Sequence, residues 1–226
     1  MAKQTTIADS ITLKGVGIHT GVEVTMTFKP AAANHGYAFQ RTDLEGSPII
    51  EALAHNVADT KRGTSLQKNG VTIQTCEHVL AAFVGCEVDN VLIELNASET
   101  PIMDGSSKFF VEAIEKVGIK TLDAERDEYI VKENITYTDE ESGSEITLLP
   151  ADDYEVTTMV DFGTKVLGTQ NATLKKLSQF KKEFANARTF SFLHEIETLL
   201  GNGLIKGGDL NNAIVYVDKE LSKETM

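Results

Sequence analysis

Cysteine is scarce in this chain. The two present, Cys76 and Cys86, fit no C-x-x-C pattern. That usage points to a reduced, cytoplasmic setting, with both thiols filling space in an apolar helical stretch. No apolar run approaches the roughly 20 residues that span a bilayer, so an integral membrane protein is not expected. The first ten residues, Met1-Ala-Lys-Gln-Thr-Thr-Ile-Ala-Asp-Ser10, hold no apolar core of a signal peptide. Basic residues are also in short supply, 21 Lys and Arg against 34 Asp and Glu, for a net charge of -13. A general nucleic-acid binder needs a basic face, so that class is disfavoured. An anionic substrate requires local positive charge, from a metal or clustered Lys and Arg. P-loop, G-x-G-x-x-G, G-x-S-x-G and EF-hand patterns are all missing.

What remains is an ordinary globular composition, 41% apolar and 24% charged over 226 residues. That length suits one large domain or two of about 110 residues each. Val22, Val24, Met26 and Phe28 alternate with polar residues, which predicts a strand with one buried face. The run 11–21 reads as a strand opening into a glycine-rich turn, and strands are also expected at 37–41, 71–74 and 91–95. A buried helix is expected over 77–84, closed by Gly85. A second is expected over 107–117, capped by Asp104 or Ser106 and stopped by Gly118.

The polar run 119–128 reads as a domain boundary. Beyond it, strands are predicted at 129–131, 135–138, 145–149, 154–162, 187–192 and 213–217, with helices at 174–184 and 194–200. Both halves run strands and then helix, and Glu23-Val-Thr-Met26 loosely echoes Glu155-Val-Thr-Thr-Met159. The expected class is α+β: two similar sheet-and-helix domains packed together, 1–124 and 125–226.

The chemistry concentrates in Thr75-Cys-Glu-His-Val-Leu-Ala-Ala82. Glu77 and His78 stand at a strand-to-helix junction, where rigid elements hold side chains open to a cleft. The plain alternative is an acidic residue near the positive end of a helix. Zinc peptidases place two His at i and i+4 on such a helix, but position 82 is Ala82, so this helix supplies at most one His ligand. His55 and Asp59 have ligand spacing but lie in a turn-like stretch and read as surface. His194 with Glu197 reads as a solvated pair, and His35 as a turn residue. His19, in the glycine-rich turn, could touch a ligand. Gly207-Gly208, before Asp209-Leu210, could let a backbone approach a ligand closely, but a plain turn is the favoured reading.

Taken in order, Gly15-Val-Gly-Ile-His-Thr-Gly21, Arg41-Thr-Asp43, the 75–82 motif, Asp89-Asn-Val-Leu-Ile-Glu94, Pro101-Ile-Met-Asp-Gly-Ser106, Ala187-Arg-Thr-Phe190 and Gly207-Gly208 resemble one family. It is the zinc-dependent UDP-3-O-acyl-N-acetylglucosamine deacetylase family of lipid A biosynthesis. The wording is most similar to the form fused to a downstream 3-hydroxyacyl-carrier-protein dehydratase. The resemblance implies a cytoplasmic hydrolase of a Gram-negative bacterium that removes the acetyl group from a UDP-sugar carrying an acyl chain. It implies Glu77 as general base, His78 as one Zn2+ ligand and Thr189 as the contact to metal-bound water or oxyanion. It implies Ile18, His19 and Phe190 at the substrate. It also implies a small insert around 193–216 in the second domain, where Ile196, Leu210 and Val215 suit an acyl chain.

The resemblance also implies two further zinc ligands on a later helix, as His-x-x-x-Asp, and a later catalytic histidine. This sequence contains neither beyond position 190. Catalytic zinc needs three protein ligands plus water. The expectation is therefore a C-terminally incomplete second domain with uncovered apolar surface, inactive alone, with the rest of the site in a downstream segment of the same parent chain. Two other readings stay open: a non-catalytic binding or scaffold domain that has lost the metal, and a metal-free acid–base enzyme using Glu77 with His19 or His78.

Overall fold

The computed structural model describes residues 2–217. The first half runs β1 (Lys3–Ile7), β2 (Ile11–Val16), β3 (Glu23–Pro30), β4 (Tyr37–Arg41), β5 (Ile49–Glu51), a 3₁₀ turn (Ala54–Asn56), β6 (Val57–Asp59), β7 (Ser65–Lys68), β8 (Val71–Ile73), α1 (Glu77–Gly85), β9 (Val91–Leu95), α2 (Lys108–Val117) and β10 (Ile119–Glu125). The second half runs β11 (Ile135–Thr138), β12 (Glu145–Leu148), β13 (Val156–Asp161), β14 (Thr169–Leu174), a 3₁₀ turn (Leu177–Gln179), a π-helical turn (Phe180–Phe184), β15 (Phe190–Phe192), α3 (Leu193–Gly201) and β16 (Ile214–Tyr216). Strands and helices are mixed over separate sheets, which is the expected α+β class. The last part of the expected second domain, 218–226, lies outside the described residues.

Strand alternation builds the core. Val24, Met26 and Phe28 on β3 and Val91, Ile93 and Leu95 on β9 are all buried. The five-stranded sheet has the order β2-β3-β9-β4-β5, antiparallel except where β4 runs parallel to β9. Helices α1 and α2 contribute to the same apolar cluster through Val79, Ala82, Phe83, Phe110 and Ile114. The Phe28 ring meets Phe83 edge-on at 4.7 Å and Phe110 at 6.4 Å. Rings at such spacings add about 0.5–1.5 kcal/mol each beyond their area burial.

The structure corrects several sequence expectations. The polar run 119–128, for which the sequence predicts no strand, holds β10, which pairs antiparallel with β1. Its alternation is masked because most of its side chains are exposed. Residues 129–131 form no strand. The predicted helix 174–184 is instead the end of β14, a 3₁₀ turn and a π-helical turn. Leu174, Leu177, Phe180 and Phe184 have helical spacing, but the Phe180 ring lies over Gly85, where a Cβ would collide with it. The expected cap of α2 is shared: Ser107 is the capping position without a side-chain bond, and Ser106 Oγ accepts the Lys108 N–H at 3.2 Å. Asp104 supports Ser106 by accepting its N–H and its hydroxyl.

In the second half, the hairpins β11–β12 and β13–β14 leave apolar side chains in solvent. Tyr137, Ile146 and Met159 are each about two-thirds exposed or more (67%, 65% and 74%). Apolar side chains of the second half are thus exposed among the described residues. No helix among the described residues is long and apolar enough to cross a membrane.

Candidate active site

Chain direction changes abruptly between β8 and α1. Thr75 makes the turn with φ of 58°, a left-handed conformation that β-branched residues rarely adopt. Two strand-like bonds brace it: Gln74 N–H donates to Ser98 O at 2.8 Å and Thr100 N–H to Gln74 O at 3.1 Å. Thr100 Oγ1 also donates to Thr75 O at 2.5 Å. The turn delivers Glu77 and His78 to the first turn of α1, beside a cavity of about 250 Å³.

Glu77 Oε2 accepts the backbone N–H of Thr64 at 2.9 Å, and its Oε1 lies 3.8 Å from His78 Nε2. Burial lowers the His78 pKa, against the opposing pull of Glu77 and Asp104, so the neutral imidazole is favoured. A neutral imidazole is the ligand form of histidine. Cys76, next in sequence, is buried and bonded to Thr64 O; desolvation, with Glu77 adding to it, pushes its thiol up to about 12. It is an inert core thiol, as is Cys86, pushed up to about 11 by burial.

The opposite wall comes from the second half. Thr189 donates its N–H to Gly105 O at 2.7 Å and accepts Ile214 N–H through its carbonyl at 3.0 Å. This fixes parallel pair β15–β16 against the 101–106 loop. Arg188 clamps the same place, with Nε donating to Asp104 O at 2.6 Å and Nη2 to Leu210 O at 3.1 Å. Helix α3 then lays Ile196, Leu199 and Leu200 along the cavity. Gly207 resolves the Gly-Gly pair: its N–H donates to Ile18 O at 3.0 Å, and a Cβ there would overlap Gly17 O. The glycine is needed for contact between two chain segments, not as a plain turn.

All nine residues singled out from sequence line this one cavity: Ile18, His19, Glu77, His78, Thr189, Phe190, Ile196, Leu210 and Val215. The lining mixes polar groups, among them Glu77, His78 and Thr189, with aliphatic side chains from α3 and the segment that follows it. His55 is exposed in a 3₁₀ turn, with Asp59 exposed on β6, so the pair does not share a helix face. Sequence reasoning missed Arg62. It lines the cavity, pairs with Glu195 of α3, and takes the His19 Nε2–H on its carbonyl at 3.3 Å. Its position in a short polar turn gave no signal. It missed Glu99 as well, a fully buried acid between two predicted elements.

The donor set does not complete a zinc site. Among the described residues no group of three or more His, Cys, Asp and Glu side chains is placed to hold a metal ion. His78 offers one ligand, whereas catalytic zinc takes three.

Comparison with known proteins places the chain in a family. A family model described as UDP-3-O-acyl N-acetylglycosamine deacetylase matches residues 4–226. The bifunctional enzyme LpxC/FabZ of Bacteroides thetaiotaomicron is 48% identical over 225 residues, covering 100% of this chain and 49% of that protein. The protein of the same name from Porphyromonas gingivalis is 45% identical, with the same coverage. The UDP-3-O-acyl-N-acetylglucosamine deacetylase of Hahella chejuensis is 41% identical, covering 99% of this chain and 74% of that protein. The chain spans about half the length of the bifunctional relatives. It belongs to the UDP-3-O-acyl N-acetylglycosamine deacetylase family.

Proposed function

We propose that this chain carries part of the active site of a deacetylase that hydrolyses the acetamide of UDP-3-O-(3-hydroxyacyl)-N-acetylglucosamine in lipid A biosynthesis. The supporting observation is one cavity lined by a carboxylate, a neutral-leaning imidazole and several aliphatic side chains. Glu77 takes the proton of the attacking water, poised by the Thr64 N–H that fixes its other oxygen. The Thr189 hydroxyl faces the carbonyl oxygen as charge develops on it. Ile196, Leu199, Leu200, Leu210 and Val215 take the acyl chain. The C–N bond breaks to give acetate and a free amine, whose proton comes from a group outside the described residues.

Zinc would polarise the acetamide carbonyl, with His78 as one ligand. Because the described residues lack the others, the 226-residue chain alone is inactive and holds far less than one equivalent of zinc. The complete protein works in the cytoplasm, with a downstream segment finishing the site and, as the names of the bifunctional relatives suggest, a fused dehydratase. Incubating the longer parent protein with the UDP-sugar and measuring free amine tests this. Release abolished by chelator and by Glu77→Gln supports it; release indifferent to both overturns it.

The incomplete ligand set favours a second reading, a scaffold domain that has lost its metal. It predicts no amine release from the parent protein either.

A further inference from the structure

Glu99 is the one acidic side chain among the described residues that is completely buried, at 0% exposed. Burying a carboxyl group is expensive unless donors satisfy it. Four donors converge on it. Oε1 accepts the His19 N–H at 2.9 Å and the Thr75 hydroxyl at 3.1 Å; Oε2 accepts the Thr20 N–H at 2.8 Å and the Thr20 hydroxyl at 2.7 Å. These donors belong to two segments far apart in sequence. One is the glycine-rich turn that carries His19 into the cavity. The other is the left-handed Thr75, two residues before Glu77.

We propose that Glu99 is a positioning residue of this active site. Its carboxyl group ties the His19 turn to the strand-to-helix junction that presents Glu77 and His78. The inference rests on the deacetylase reading for its catalytic consequence, but the geometry it asserts is independent of that reading. Three observations carry it. Thr75 holds a backbone conformation that persists only when surroundings fix it, and Glu99 takes its side-chain hydroxyl. The His19 imidazole has little else to orient it: Nε2 makes one bond of 3.3 Å, and Nδ1 is buried without a hydrogen-bond partner. Gly17 leaves the space Glu99 needs, since a Cβ there would overlap Glu99 Oε2 and Thr20 Oγ1.

Glu99→Gln keeps the shape of the side chain but turns one acceptor into a donor facing N–H and O–H groups, so the two segments part. The full-length protein is the material, assayed well below the melting temperature of each variant so that folding is not limiting. Glu99→Gln lowers kcat roughly tenfold or more, the scale of a small misplacement of reacting groups, with KM within about threefold. The His19 imidazole NMR signal, assigned with His19→Gln, shifts, while the signal of exposed His55 stays. Gly17→Ala, which displaces Glu99 without removing a polar group, moves both readouts the same way. If Glu99→Gln and Gly17→Ala fold and leave kcat and the His19 signal unchanged, Glu99 only fills the core and the proposal is wrong. If the wild type releases no amine while the His19 signal still moves, the deacetylase reading fails and the positioning role stands.

Discussion

Thr189 and Gly105 are joined by a 2.7 Å backbone hydrogen bond, one of several links between the second half of the molecule and the first. Gly105 has φ of 86°, and a Cβ there would overlap Asn212 O. Gly105→Ala therefore strains the backbone and pries the two walls of the cavity apart. The expected cost is about 1–3 kcal/mol, read as a lower Tm. Acetamide hydrolysis by the parent protein falls with it, because Thr189 moves. An unchanged Tm would show that the loop absorbs the methyl group.

The aliphatic wall makes a separable prediction. Ile196→Phe adds volume to a cavity of about 250 Å³. Long-chain substrates then bind more weakly, with KM raised by roughly tenfold or less, the scale of a methylene or two in an apolar pocket. Short-chain substrates keep their KM. Measuring KM against acyl length decides it; equal effects at all lengths would place the acyl chain elsewhere.

Arg41 and Asp43 brace β8, the strand that leads to the site. Arg41 Nε and Nη2 donate to the Asp43 carboxylate at 2.8 and 2.6 Å, and Nη1 donates to Thr72 O on β8 at 3.0 Å. The Arg41 guanidinium holds the Asp43 carboxyl below its usual range. A depressed folded-state pKa contributes stability that is present above the unfolded value and lost as pH falls through the folded one. The Tm gap between wild type and Asp43→Asn should therefore be open at pH 7 and close toward acid. A gap independent of pH would assign the effect to packing.

Much of this was legible in the sequence where a local pattern carries the physics. The period-two alternation of Val24, Met26 and Phe28 announced β3, and the 75–82 motif announced the helix that bears Glu77 and His78. Long-range pairing was not legible. β10 finds its partner β1 more than a hundred residues away, and its mostly exposed side chains give only a weak alternation. Phe180 sits where helical spacing suggested a helix, but its place is set by the groove at Gly85. Arg62 and Glu99 escaped for a related reason. Their partners, Glu195 for one and His19, Thr20 and Thr75 for the other, come together only in the fold.

Metal content separates the part from the whole. Among the described residues His78 is the one ligand proposed for zinc, so the dialysed 226-residue chain should carry far less than one equivalent and the parent protein about one. His78→Ala should lower the parent's content by roughly tenfold or more at limiting zinc. Stoichiometric, tightly held zinc in the short chain would mean that its own residues complete the site.

The most direct test replaces one oxygen. In Glu77→Gln, the amide oxygen still accepts the Thr64 N–H, so the fold should hold while the base is lost. Steady-state deacetylation of the acyl UDP-sugar by the parent protein should drop by roughly 10²–10⁴ in kcat with little change in KM, the usual scale for a general base. A variant that turns over at the wild-type rate would contradict the account.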